Sequence, residues 1–159
     1  MDAEVVVIAD QKGFSCLPAM DWTLSLILSR LDAGKAVHLL LCNPDLIYPV
    51  GSGRYGFTAG ALASMLSAVL SERYPELPDP IVPLGKPHAP IFEAARRRIG
   101  RGRLVMLGDQ LATDIAGANR RGIDSVLVGT GLARRNGPNT DVRPTWYINS
   151  LADIDPGAA

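Results

Sequence analysis

A chain of 159 residues is long enough for one domain with a proper core and too short for two ordinary ones. Sixteen basic residues balance sixteen acidic ones, so no global field draws the chain toward nucleic acid or anionic lipid. No apolar run approaches the ~20 residues that cross a bilayer, the N-terminus lacks a basic-then-apolar leader, and Cys16 and Cys42 have no metal-ligand spacing, which together point to a soluble, cytoplasmic protein.

Strand-like and helix-like segments alternate along the chain, the signature of a largely parallel sheet covered by helices. Val5 to Ala9 reads as a buried strand that delivers Asp10 to a turn at Gly13. Apolar residues from Trp22 to Leu31 suit a helix over 21–31 that ends near Gly34 in the usual C-terminal glycine position. Val37 to Cys42 is a second strand, with His38 expected as a satisfied core residue. Asn43 through Tyr55, broken by Pro44, Pro49, Gly51 and Gly53, reads as a loop. A small-residue helix follows from Thr58, its N-cap, to about Arg73. A short strand over 81–84 runs into the Gly85-Lys86-Pro87 turn. The remainder predicts a helix over 89–98, a strand over 104–107, a helix over 114–121, a strand over 125–128, an exposed turn over 134–144 and a last strand over 146–148. Arg96, Arg97, Arg98, Arg101 and Arg103 form a basic cluster, expected to be a solvated helix end complementing the helix dipole.

Two segments carry chemistry. In "VMLGDQLATDIAGA" a hydrophobic strand ends in Gly108 and Asp109, and Asp114 follows five positions later. Gly108 is expected to let the chain turn sharply, so that both carboxylates lie at the strand's carboxyl end, where they suit a hard cation such as Mg²⁺. The plainer alternative has Asp109 capping a turn and Thr113 or Asp114 capping the next helix. In "LGKPHAPIF" Pro87 restricts Lys86 to extended backbone, which aims an ammonium toward the same sheet edge, where it can neutralise a phosphate.

The paired segments "GKPHAPIF" and "VMLGDQLATDIAGANRRGIDSVLVGTGL" resemble the third and fourth motifs of the haloacid dehalogenase (HAD) superfamily of phosphatases, and most closely subfamily IIA, the NagD-like, 4-nitrophenylphosphatase-like and phosphoglycolate-phosphatase-like enzymes. "CNPDLIYPVGSGRYGFTAGALASML" is similar to that subgroup's cap, whose Asn-x-Asp loop contacts substrate. The resemblance runs over residues 5–151. It implies an α/β fold, a HAD-like Rossmannoid three-layer α/β/α parallel sheet present as a partial core, with part of an α/β cap. Residues 1–80 would be the partial cap with its substrate loop at 43–57, residues 81–151 the C-terminal half of the core, and residues 152–159 a flexible tail. It implies Lys86 as the catalytic residue that contacts the phosphoryl group, Asp109 as a magnesium ligand with Asp114 supporting the same metal site, and Asn43 and Asp45 on the substrate. His88, in the turn after Lys86, is expected to approach substrate. The cofactor would be Mg²⁺ and the partner a small phosphorylated metabolite.

The family's nucleophile lies in a D-x-D-G-T motif on the first core strand. Asp10 is the one candidate here, and its motif reads Asp10-Gln11-Lys12-Gly13-Phe14, with an ammonium where the general acid belongs. Positive charge at that position opposes a divalent ion. The segment fits a cap strand better, which places the nucleophilic aspartate in an N-terminal part outside this chain. An uncovered half-sheet then predicts a homo-oligomer or a complementing N-terminal half as partner, with neither nucleic acid nor membrane involved. Two alternatives stay open: a non-catalytic binding module of the same fold, and a compact hydrolase using Asp10.

Overall fold

The computed structural model describes residues 3–10, 12–130 and 141–154. The chain divides into two compact units, Met1–Gly85 and Lys86–Ala159.

In the first unit, strand β1 (Val5–Ile8) is followed by helix α1 (Cys16–Asp32) and strand β2 (His38–Leu41). Strands β3 (Ile47–Gly51) and β4 (Arg54–Phe57) precede helix α2 (Ala59–Arg73) and strand β5 (Ile81–Pro83). The sheet order is β1-β2-β5, all parallel, in the register Val6↔Leu39↔Ile81 and Ile8↔Leu41↔Pro83. Period-two alternation puts those residues on one face. Ile27 of α1 and Leu62, Leu66 and Leu70 of α2 pack on that face with Ile8, Leu39 and Leu41. Both crossovers step in the same direction along the sheet, and right-handed crossovers of that kind put both helices on one side. The opposite face stays open, with Val7 57% and Val82 43% exposed.

Helix α1 begins five residues earlier than the apolar pattern predicts, at Cys16, and closes as expected. Gly34 takes φ 68°, and the N–H groups of Gly34 and Lys35 donate to the carbonyls of Leu31 and Arg30 at 2.9 Å each, which satisfies the helix's last acceptors. His38 is exposed, a correction to its expected place in the core, because it opens β2 on the open face while Leu39 turns inward. The predicted loop over 43–55 contains the antiparallel hairpin β3–β4. Ser52 (φ 51°) and Gly53 (φ 71°) make its tight turn, and an irregularity between Pro49 and Gly51 accommodates the proline. Ile81–Pro83 pairs with Leu39–Leu41, so the units divide after Gly85, whereas the sequence suggested a boundary after residue 80.

The second unit holds helix α3 (Ala89–Ile99), strand β6 (Val105–Gly108), a π-helical turn (Leu111–Ile115) that continues as helix α4 (Ala116–Asn119), and strands β7 (Asp124–Val128) and β8 (Trp146–Ile148). A capped 3₁₀ turn, Leu151–Asp153, closes it. The strand order β6-β7-β8 is again parallel. Phe92, Ala118 and Ile123 form the core with Leu104 and Met106. Val105, Leu107 and Trp146 share the other face and remain exposed. Each unit therefore carries two layers, a parallel sheet and the helices on one side of it.

The basic cluster has local partners. Arg97 lies 4.0 Å from Glu93, Arg103 binds Asp124 at 2.6 Å, and Arg96 donates to the Arg121 carbonyl at 3.4 Å. The predicted turn over 134–144 and the tail over 152–159 lie largely outside the described residues. Among the described residues, no helix is long and apolar enough to cross a membrane.

Candidate active site

Lys86 opens the second unit through a cis peptide bond to Pro87. Its Nζ lies 2.5 Å from Asp114 Oδ1. The carboxylate is 1% exposed and the lysine side chain 38% exposed, so a buried anion holds an ammonium that still reaches solvent. Lys86 lines a cavity of about 100 Å³ with Phe92, Met106 and Ile123. Its ammonium is held by the ion pair with Asp114.

Asp114 has a second task. Its Oδ2 accepts the backbone N–H of Asp109 at 3.0 Å and of Gln110 at 3.1 Å. One carboxylate thus ties the lysine to the Gly108-Asp109 turn. Gly108 makes this possible through size. Its backbone is outside the left-handed region, against the expectation of a sharp glycine turn, and a Cβ there would collide with the Asp114 carboxylate. No side-chain capping bond forms at the π turn or at α4; Asp114 instead accepts the Asp109 and Gln110 N–H groups ahead of the turn and binds Lys86.

Both oxygens of Asp114 are engaged, so its part is to hold Lys86 and the turn. Asp109 is partly exposed at the same turn. Among the described residues, no three His, Cys, Asp or Glu side chains gather around one point. Mg²⁺ takes one or two protein carboxylates and completes its shell with water and substrate phosphate, so a carboxylate such as that of Asp109 has the chemistry to hold such an ion. His88 occupies the N-cap position of α3 without a side-chain capping bond and is partly exposed.

Asn43 and Asp45 belong to the first unit, at the carboxyl end of β2. Asn43 Oδ1 accepts the N–H of Asp45 at 3.1 Å, so this side chain shapes the loop that it was expected to lend to substrate. Thr58, expected as a helix cap, sits at that position but donates its hydroxyl to the Asp45 carbonyl. Gly60 N–H donates to the same oxygen at 3.1 Å, and a Cβ at Gly60 would meet the carbonyls of Pro44 and Asp45. Thr58 and Gly60 thereby lock the loop onto α2; the sequence signal for Gly60 was a glycine in a first helical turn, where it lowers helix propensity. Asp10 is exposed beyond the end of β1, and the Lys12 ammonium stands 5.6 Å from the centroid of the Tyr48 ring.

Residues 83–154 match the HAD-hydrolase-like family model. The chain is 29% identical over 157 residues to the dihydroxyacetone phosphatase of Corynebacterium glutamicum, covering 95% of this chain and 50% of that protein. It is 38% identical over 76 residues to the 5'-nucleotidase YutF of Bacillus subtilis, covering 46% and 30% respectively. The crystal structure of a double mutant of the thermostable NPPase from Geobacillus stearothermophilus superposes with a TM-score of 0.73 at 23% identity, over 97% of this chain and 56% of that one, which establishes the shared fold. The chain spans about half the length of the relatives that it matches along most of its own. The Lys86–Asp114 pair and the Asp109 turn lie within the residues that match the HAD-hydrolase-like model, and a phosphatase is among the proteins that the chain resembles along most of its length.

Proposed function

We propose that this chain supplies the lysine and the metal-binding half of a magnesium-dependent phosphomonoesterase site, completed by a nucleophilic aspartate that it does not itself provide. The observation that carries the reading is the 2.5 Å pair of Lys86 and the buried Asp114, whose other oxygen organises the turn bearing Asp109. Lys86 would neutralise the phosphoryl oxygens, which it can do without reorganising because its head is already held. Asp109 would hold Mg²⁺, and the ion when bound would offset the repulsion between an attacking carboxylate and the phosphoryl group. Asp114 would position both. His88 would touch the non-reacting part of a small phosphorylated metabolite.

The test is calorimetric titration of the 159-residue chain with inorganic phosphate in the presence of Mg²⁺. Binding by wild type and loss of about ten-fold or more in affinity in Lys86→Met supports the reading. Equal binding by both proteins, or none by wild type, sinks it.

A second reading, a binding module that keeps the fold without turnover, follows if the Asp10 segment is a degenerate first motif, because Lys12, 5.6 Å from the Tyr48 ring centroid, would then replace the family's second acid. Hydrolysis of an aryl phosphate separates the two. Turnover that appears when the chain is joined by a segment bearing a D-x-D-G-T strand favours the enzyme. Turnover by the chain alone that vanishes in Asp10→Asn would restore the compact-hydrolase alternative.

A further inference from the structure

At the end of β2 away from Asn43, the first unit holds a cavity of about 370 Å³. The C-terminal ends of α1 and α2 and the chain entering β5 enclose it. Its floor is Val37 and Leu70, 5% and 4% exposed, and its lip is Leu77 and Val82, 46% and 43% exposed. A buried apolar surface therefore opens to solvent. Leu31 and Tyr74 complete the apolar wall.

The walls are held in place by the protein itself. The Tyr74 hydroxyl donates to Asp32 at 2.5 Å, which fixes the ring. Asp79 also lines the cavity, and both of its carboxylate oxygens are engaged: one accepts the Ile81 N–H at 3.0 Å and the other the Ser67 hydroxyl at 2.7 Å, which ties the entering chain to β5 and to α2. Pro78 and Pro80, on either side of Asp79, stiffen the same stretch. A wall set in advance spares a ligand the entropy of ordering it.

Small-molecule sites run from about 300 to 1,000 Å³, and an apolar hollow of about 150 Å³ already takes a benzene ring, so a fused or substituted ring fits here. His38 lines the cavity and is exposed, and its imidazole can donate or accept a hydrogen bond. Charge is disfavoured. Two helix C-termini bring partial negative charge to this end, the Asp79 carboxylate adds to it, and the apolar floor desolvates any ion.

We infer that this cavity is a binding site for a small uncharged molecule with an aromatic or similarly apolar body and one hydrogen-bonding group. The body rests on Val37 and Leu70, and the polar group meets His38. The site is independent of the phosphatase reading, which rests on Lys86 and Asp114.

Calorimetric titration of the 159-residue chain with indole, benzene and benzoate tests this. Indole binds saturably, with a dissociation constant of about 1 mM or tighter, and benzoate binds about ten-fold or more weakly than indole. Ser71→Trp, which fills the cavity from an exposed position on α2, weakens indole about ten-fold or more. His38→Leu weakens indole about three-fold or more and leaves benzene within about two-fold, since benzene makes no hydrogen bond. Indole also shifts the methyl NMR signals of Val37 and Leu70 in wild type, a readout that stands even where Ser71→Trp does not fold. Absence of saturable indole binding overturns the inference. So does wild-type affinity in Ser71→Trp, and so do indole-induced shifts confined to residues away from the cavity. Equal binding of benzoate and indole overturns the choice of an uncharged ligand, and equal loss of indole and benzene in His38→Leu overturns the part given to His38.

Discussion

Gly108 shows how a small residue can matter through what it leaves out. Its Cα lies against the Asp114 carboxylate, and any side chain there pushes that group off Lys86 and off the Asp109 and Gln110 amides. Gly108→Ala is therefore expected to destabilise the chain by about 2 kcal/mol through overpacking and to weaken phosphate binding in the same protein. Chemical denaturation followed by titration checks both. An alanine variant with wild-type stability and affinity would show that the carboxylate can move without consequence. Thr58 and Gly60 act similarly on the other loop, holding the Asp45 carbonyl between a hydroxyl and an amide, so that Asn43 and Asp45 reach solvent from a fixed backbone.

The two helices of the first unit are joined at their C-terminal ends. Tyr74, just past α2, donates its hydroxyl to Asp32 of α1 at 2.5 Å, and Arg73 lies 3.2 Å from the same carboxylate. The hydrogen bond from Tyr74, and then the charge of Arg73, hold the Asp32 carboxyl below its ordinary value. A depressed carboxyl pKa stabilises the fold at every pH above the unfolded value, near 3.9, and that contribution is lost as the pH falls through the folded value. Asp32→Asn is accordingly expected to be less stable than wild type at neutral pH and to converge with it in the acid limb below about pH 4. Parallel denaturation curves across that window would remove Asp32 from the account. The hairpin β3–β4 was hidden because Pro49 and the glycines around it suppress strand propensity; its strands pair with each other at the surface, where a proline without an N–H is tolerated. The π turn was equally invisible, since nothing in Leu111–Ile115 distinguishes an i→i+5 bond from an ordinary helical start.

Each unit buries one sheet face and leaves the other apolar face open, at Val7 and Val82 in the first and at Leu107 and Trp146 in the second. Parallel sheets are ordinarily covered on both sides. The chain is therefore expected to self-associate or to take up a covering segment, and light scattering at micromolar concentration should give a mass above that of one chain. Val7→Lys and Val82→Lys together with Leu107→Lys should return the mass to a monomer while keeping the core of Ile27, Leu39 and Leu66 intact. A wild-type monomer would refute the expectation.

Alternation of apolar runs, the glycine after α1 and the order of the Lys86 and Asp109 segments were legible in the residues alone, because burial periodicity and helix termination are local and the motif order is linear. Which of the two carboxylates binds the lysine was not legible, since Asp109 and Asp114 are chemically identical in one dimension. Their roles diverge only once the chain closes on itself, when Asp114 is buried against Gly108 within reach of Lys86 and Asp109 stays at the surface of the turn.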